Sequence, residues 1–153
     1  MSGHSVFVTG ANGYLGCRLM PALLARGHRV TALVRPGRES VLPGGCRVLT
    51  GDALDPASFQ DGLGDADTLV HLVGVAHPSP AKAAAFREVD LASLRAAVAA
   101  ARHAGVKHFV YLSVAQPAPL MHAYLAARAE GEALLRASGI PSTILRPWYV
   151  LGP

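Results

Sequence analysis

Cysteine is scarce in this chain of 153 residues, which contains two. Cys17 and Cys46 are too few for a disulfide framework, and their spacing is not that of a metal site. Cys17 falls in the first turn of the first expected helix, where a thiol pKa can fall. The preferred reading is a small buried residue beside Gly16. Charge is also thin, at 16% of residues, and aromatics reach 6% with a single tryptophan. The net charge of +4 invites a nucleic-acid partner, yet no Lys/Arg run and no interleaved aromatics are present, whereas such a site gathers its cations on one face. No nucleic-acid partner is expected, and a mildly basic balance suits an anionic small molecule instead. The seven histidines, His71 and His77 among them, show no ligand spacing; structural or surface roles are expected, and no metal. No apolar run approaches the ~18 residues needed to span a bilayer, and no signal-peptide charge pattern precedes the first strand. A cytoplasmic protein without a membrane partner is the expectation. Repeats, low-complexity tracts and linkers are absent too, so residues 1–153 are read as one domain.

Apolar residues are abundant, at 51% with a mean hydropathy of +0.31. Continuous apolar stretches such as Thr31-Ala32-Leu33-Val34 and Thr68 to Val75 suit strands buried on both faces. Alanine-rich stretches such as Ala96 to Ala101 suit helices. Strands are expected at about 5–9, 29–34, 46–50, 68–73, 107–112 and 142–146. One helix should cover Leu15 to Arg26, and another should start at Asp55-Pro56, a capping residue followed by proline. A third should start likewise at Ser79-Pro80 and run to about His103, ended by Ala104-Gly105. Its core stripe is Leu91, Leu94, Val98 and Ala101. A last helix should cover Leu120 to Ser138. Alternating β and α with apolar strands predicts an α/β fold, a doubly wound parallel sheet of six strands in Rossmann order 3-2-1-4-5-6.

The most telling segment is Thr9-Gly10-Ala11-Asn12-Gly13-Tyr14-Leu15-Gly16, set between the first strand and the first helix. A glycine-rich turn in that position is a phosphate cradle. Gly10 permits the tight turn, Gly13 lets backbone approach a pyrophosphate, and Gly16 lets helix pack on strand. The helix's leading N–H groups, helped by its dipole, face the anion. The reading is a dinucleotide site. In this fold the end of strand two meets the adenosine ribose, where a carboxylate suits NAD and arginine suits the 2′-phosphate of NADP. Here Arg35 follows Val34 with no carboxylate beside it, and Arg38 lies within reach. NADP(H) is therefore expected over NAD(H); a solvated loop arginine is the plain alternative.

On these residues the chain resembles the short-chain dehydrogenase/reductase superfamily, in its extended and atypical branch of NAD(P)-dependent epimerase/dehydratase-like proteins. The resemblance covers essentially the whole chain. Thr9 to Gly16 is similar to that branch's TGxxGxxG, which implies cofactor contacts from Gly10, Asn12, Gly13, Tyr14, Leu15 and Gly16. Gly51-Asp52-Ala53-Leu54-Asp55 resembles the segment that meets the adenine, implicating Asp52 and Ala53. His71-Leu72-Val73-Gly74 resembles the strand-four end lying along the cofactor, implicating Leu72, Val73 and Gly74. Gly105 to Ser113 resembles the strand-five entry. Ile144-Leu145-Arg146-Pro147 resembles the strand-six end, where Pro147 approaches the nicotinamide.

The superfamily pairs a tyrosine with a lysine four residues on. The matching positions here are Tyr124 and Arg128, which i,i+4 spacing puts on one helix side. A neighbouring cation lowers a phenol's pKa from ~10 and fits it for acid/base work, although arginine's rigid fork meets a ribose differently from an ammonium. A packed tyrosine, with Arg128 paired to Glu132, is the alternative. Ser113 is the candidate helper, but the family's substrate-contacting Ser/Thr usually lies where this chain has Val114 and Ala115. Asp90 matches a position where relatives often carry asparagine; an exposed helix residue is the preferred reading. Relatives usually continue beyond Arg146-Pro147-Trp148-Tyr149 into a substrate pocket, so the substrate domain is expected to be largely absent. Trp148 and Tyr149 would cap the nicotinamide end or form an interface edge, a homodimer being one expectation. The resemblance implies an NADP(H)-dependent oxidoreductase acting on a small carbonyl or alcohol. A non-catalytic NADP(H)-binding sensor or assembly module is the rival, and a sugar-nucleotide epimerase or dehydratase a third.

Overall fold

The computed structural model describes residues 3–151; Met1, Ser2, Gly152 and Pro153 lie outside the described residues. Six strands form one parallel sheet, β1 (Ser5–Thr9), β2 (Arg29–Val34), β3 (Arg47–Thr50), β4 (Thr68–His71), β5 (His108–Leu112) and β6 (Ser142–Leu145), in the order β3-β2-β1-β4-β5-β6. The expected Rossmann topology is thus observed. Strand four stops at His71 rather than residue 73: the Leu72 N–H still donates to the Thr9 carbonyl, and Leu72–Gly74 line a groove.

Side chains alternate across the sheet as the two-residue strand period demands. Phe7, Leu69, Phe109 and Tyr111 point to one face, while Val6, Val8, Val70 and Val110 point to the other. The first face packs against α3 (Ala92–Ala104), with Leu94, Ala97, Val98 and Ala101 forming the contact, and Leu135 of α4 (His122–Ala137) joins the same core. Small alanines let α3 sit close to the sheet, while the phenylalanines fill the layer; burying each such ring is worth about 2 kcal/mol. The second face packs against α1 (Gly16–Ala25) through Met20 and the partly buried Leu19 and Leu23. Beyond α1 that face carries an apolar groove of about 330 Å³ reaching Val110 and Leu145.

Two expected helices differ in detail. The segment after Asp55-Pro56 forms two 3-10 turns, Pro56–Ser58 and Gln60–Leu63. The cap works as expected, Asp55 accepting the Ala57 N–H at 3.1 Å, but Gly62 within the second turn and Gly64 directly after it leave too little helix-forming chain. The helix expected from Ser79-Pro80 is broken into a 3-10 turn at Pro80–Lys82, a short α2 (Ala83–Ala85), a π-helical Phe86–Leu91 and α3. The π turn coincides with burial of Phe86, Asp90 and Leu91 together. No helix among the described residues is long and apolar enough to cross a membrane.

Candidate functional site

A groove of about 310 Å³ runs along the carboxyl ends of β1 to β4, the edge at which open α/β sheets bind ligands. Its floor is the loop after β1. Gly10 adopts φ +73, and a Cβ there would lie 2.8 Å from the Leu72 carbonyl carbon, so both the turn and the contact with β4 require glycine. A Cβ on Gly13 would meet only the Gly10 carbonyl oxygen, at 3.2 Å, and would otherwise project into open space. A Cβ on Gly16 would strike the Ala11 and Gly10 carbonyl oxygens. Gly16 is therefore demanded by the loop's own carbonyls, a correction to the helix-on-strand packing expected for it. No side chain caps the start of α1 and its first turn has no acidic residue; the Cys17 and Arg18 N–H groups donate to the Gly13 and Leu15 carbonyls, which leaves those of Tyr14, Leu15 and Gly16 just before them for an anion. The cradle therefore fits a dinucleotide's diphosphate.

Gly10, Asn12 and Gly13 line this groove from the loop, Arg35 from the end of β2, and Asp52 and Ala53 from beyond β3. Leu72, Val73 and Gly74 form its far wall. Tyr14, Leu15, Gly16, Arg38 and Pro147 are not among the lining residues. The Tyr14 hydroxyl instead donates to the Leu151 carbonyl at 3.2 Å, with the Arg18 guanidinium 3.8 Å over its ring. Pro147 extends the β5–β6 pairing, its carbonyl accepting the Ala115 N–H at 3.1 Å. Leu33, Val34, Gly51, Leu54 and Val89 also line the groove and are not among the expected contacts, although Gly51 and Leu54 belong to the Gly51–Asp55 segment. The first four adjoin expected contacts and lie within reach of the strand pattern; Val89 enters from the π turn, which has no signature in the sequence.

The β2 end carries cations only. Glu39, the one carboxylate nearby in sequence, is turned onto the Gly37 N–H at 3.1 Å. Among the described residues neither Arg35 nor Arg38 has an ion-pair partner. Asp52 accepts the Leu54 N–H at 2.9 Å and donates its own N–H to Ser58 Oγ at 2.9 Å, which fixes the turn beneath the groove.

At the other end, Tyr124 is half-buried against Phe86, ring centroids 5.1 Å apart. Arg128 is buried, not solvated, and does not pair with Glu132. Its Nη2 donates to Asp90 Oδ1 at 2.6 Å and its Nη1 to the Leu112 carbonyl at 2.6 Å. Its guanidinium carbon lies 5.1 Å from the Tyr124 ring centroid, and its Nε has no hydrogen-bond partner among the described residues. Asp90, expected from sequence to be exposed, is in fact 2% exposed and accepts the Val75 N–H at 3.0 Å as well. The pattern misleads because a charged residue in a helical segment is usually solvated, and the partner of Asp90 lies 38 positions away. Burial pushes the Asp90 carboxyl upward while Arg128 draws it back down. Removing one member of such a pair costs about 3–5 kcal/mol, because the other charge stays buried.

Ser113 is buried and donates to Glu132 Oε1 at 2.6 Å. That carboxylate also accepts Arg146 Nε at 2.9 Å and Arg136 Nη2 at 3.1 Å. The Arg146 hydrogen bonds come first in holding Glu132 at about 2. The cluster ties the ends of β5 and β6 to α4. His71 bridges the glycine loop to α3: its Nδ1 lies 2.8 Å from Thr9 Oγ1 and its Nε2 3.3 Å from Ser93 Oγ. Because Ser93 donates its proton to the Asp90 carbonyl, the network assigns the Nε2–H tautomer, with Nδ1 accepting from Thr9. Burial holds this imidazole neutral, its pKa at about 3. Cys17 is half-buried and free. Trp148 and Tyr149 are exposed, and no cluster of three metal-ligating side chains occurs among the described residues.

Comparison with known proteins agrees with this geometry. A family model described as NAD(P)H-binding matches residues 10–151. A ceramide reductase of Caulobacter vibrioides is 33% identical over 152 residues, covering 97% of this chain and 47% of that protein. The photosystem II assembly factor Ycf39 of Cyanophora paradoxa is 27% identical over 93% of this chain and 44% of its own. The Bordetella bronchiseptica enzyme WbmH, solved in complex with NAD+, superposes with a TM-score of 0.81 at 24% identity, covering 98% of this chain and 57% of WbmH. The chain spans about half the length of the curated relatives it matches.

Proposed function

The chain belongs to the NAD(P)H-binding family whose model matches residues 10–151, and from that premise we propose that it takes NADP(H) in preference to NAD(H). The whole protein would pass hydride between the nicotinamide and a small carbonyl or alcohol. The observation that carries the preference is the β2 end, where Arg35 borders the groove with no ion-pair partner among the described residues and Glu39 is engaged elsewhere. A guanidinium there grips a 2′-phosphate bidentately. Arg35→Ala is expected to weaken NADPH binding by about tenfold or more, the worth of a charge-assisted contact, and to change NADH binding by less than about twofold. Fluorescence titration of both nucleotides measures this. Tighter binding of NADH by the unaltered protein, or equal losses for both, would remove the preference.

In this proposal the cradle of Gly10, Asn12 and Gly13 holds the diphosphate, and Asp52 and Ala53 border the adenine. When bound, the nicotinamide supplies or accepts the hydride. Tyr124 exchanges a proton at its phenolic oxygen with the substrate oxygen, with Arg128 as the nearby cation and Ser113 as helper. Tyr124→Phe is expected to cut turnover across a panel of small carbonyls by about 100-fold or more. Unchanged turnover would take Tyr124 out of the mechanism.

A second reading has its own support. Arg128 is committed to Asp90 and Leu112, and Ser113 to Glu132, which suits a non-catalytic NADP(H)-binding sensor or assembly module; one relative is itself named as an assembly factor. Tight NADPH binding with no turnover on any carbonyl would favour it.

A further inference from the structure

The Asp90–Arg128 pair has a second neighbour of consequence. A Cβ on Gly74 would lie 2.6 Å from Arg128 Nη2 and 3.1 Å from Asp90 Oδ1, so the pair packs directly behind the groove's far wall. Asp90 grips the Val75 N–H, one residue beyond Gly74, and Arg128 grips the Leu112 carbonyl at the end of β5. The pair is buried, with the Arg128 and Asp90 side chains 8% and 1% exposed. Two side chains thus clamp the ends of β4 and β5 to the π turn and to α4. Neither reaches the β2 and β3 ends.

Sheet order gives this placement its meaning. The groove runs from β3 and β2, across the β1 loop, to β4. With the adenosine half at Arg35 and Asp52 and the diphosphate over the β1 loop, the remaining half of a dinucleotide falls along Leu72–Gly74. We infer that the Asp90–Arg128 clamp is a positioning device for the nicotinamide half of the cofactor: it fixes the Leu72–Val75 wall and leaves the adenosine half untouched. Arg128 then acts through the backbone at Gly74 and Val75. This rests on the dinucleotide-binding reading above.

The experiment compares two ligands by calorimetric titration: NADPH, and 2′,5′-ADP, which carries the adenosine half alone. The double variant Asp90→Asn/Arg128→Met removes both charges together, so that no unpaired charge stays buried. It is expected to melt cooperatively, to bind 2′,5′-ADP within about twofold of the unaltered protein, and to bind NADPH about tenfold more weakly, the worth of one lost positioning hydrogen bond. Arg128→Lys keeps a cation for Asp90 but lacks the fork that also reaches Leu112. It is expected to show the same selective loss in smaller measure, and it carries the comparison if the double variant does not fold. Equal losses for the two ligands would mean general loosening and would overturn the inference, as would unchanged NADPH affinity. If the unaltered protein bound neither ligand, the dinucleotide reading itself would fall, and this inference with it.

Discussion

Replacing Gly13 with valine is expected to abolish dinucleotide binding while leaving the fold intact. The two halves of that expectation come from the same geometry. A Cβ at residue 13 has one protein neighbour within 4 Å, the Gly10 carbonyl oxygen at 3.2 Å, so the larger side chain meets little resistance from the protein. It projects into the space above the loop, where a diphosphate must approach main-chain N–H groups closely. Removing that approach should weaken NADPH at least about 100-fold, close to 3 kcal/mol, with the melting temperature shifted by only a few degrees. Gly16 provides the contrast, because a side chain there collides with the carbonyl oxygens of Ala11 and Gly10 and should destabilise the loop itself. Full NADPH affinity in a folded Gly13→Val protein would contradict the cradle.

The second large effect concerns acid. His71 is fully enclosed between Thr9 and Ser93, and burial lowers its pKa from 6.5 to about 3. The unfolded chain takes up this proton near pH 6.5 and the folded chain does not, so stability is full above that pH and falls as pH drops toward 3. The loss is about 1.4 kcal/mol per pH unit, or roughly 2 kcal/mol by pH 5 and about 4 or more by pH 3. Glu132, whose pKa is lowered from 4.5 to about 2, also loses its contribution with acid, but in a lower window than the first step of His71. The interval from pH 6.5 to 5 lies above the Glu132 window, and a His71 variant separates the histidine from Asp90, whose carboxyl is raised by burial. Urea unfolding across that interval should show the slope, and His71→Gln should flatten it whatever its starting stability. An unchanged slope in the variant would assign the acid sensitivity to other groups.

Much of this molecule is legible in its amino-acid sequence, for identifiable reasons. Strands β1 and β2 match their expected bounds because each is a short apolar run closed by glycine or by arginine and proline. The strand order follows from strict alternation, since right-handed crossovers leave few arrangements. Of the candidate contacts, Gly10, Asn12 and Gly13 on the loop and Arg35, Asp52, Ala53, Leu72, Val73 and Gly74 beyond β2, β3 and β4 line the groove, because topology puts them there. Tyr14 and Pro147 are harder to place, since what they touch depends on Leu151 and Ala115, neither of which has a local signal. The ion pairs are the least legible part. Helical spacing suggests Arg128 with Glu132, whereas Arg128 takes Asp90 from the π turn, and Glu132 takes Ser113 and Arg146 from beyond α4 together with Arg136, its other i,i+4 neighbour. The partners from other elements are set by burial, which leaves a desolvated charge no option but the nearest complementary group, and spacing along one helix does not point to them.

The central claim is that the glycine loop and the strand ends around it hold an adenine dinucleotide. Calorimetric titration of the purified chain with NADPH, repeated with NADH, tests it most directly. Saturable binding with one nucleotide per chain, lost in Gly13→Val, is the predicted result. Heats no different from dilution for both nucleotides, up to about 1 mM where binding free energy is near −4 kcal/mol, would contradict it.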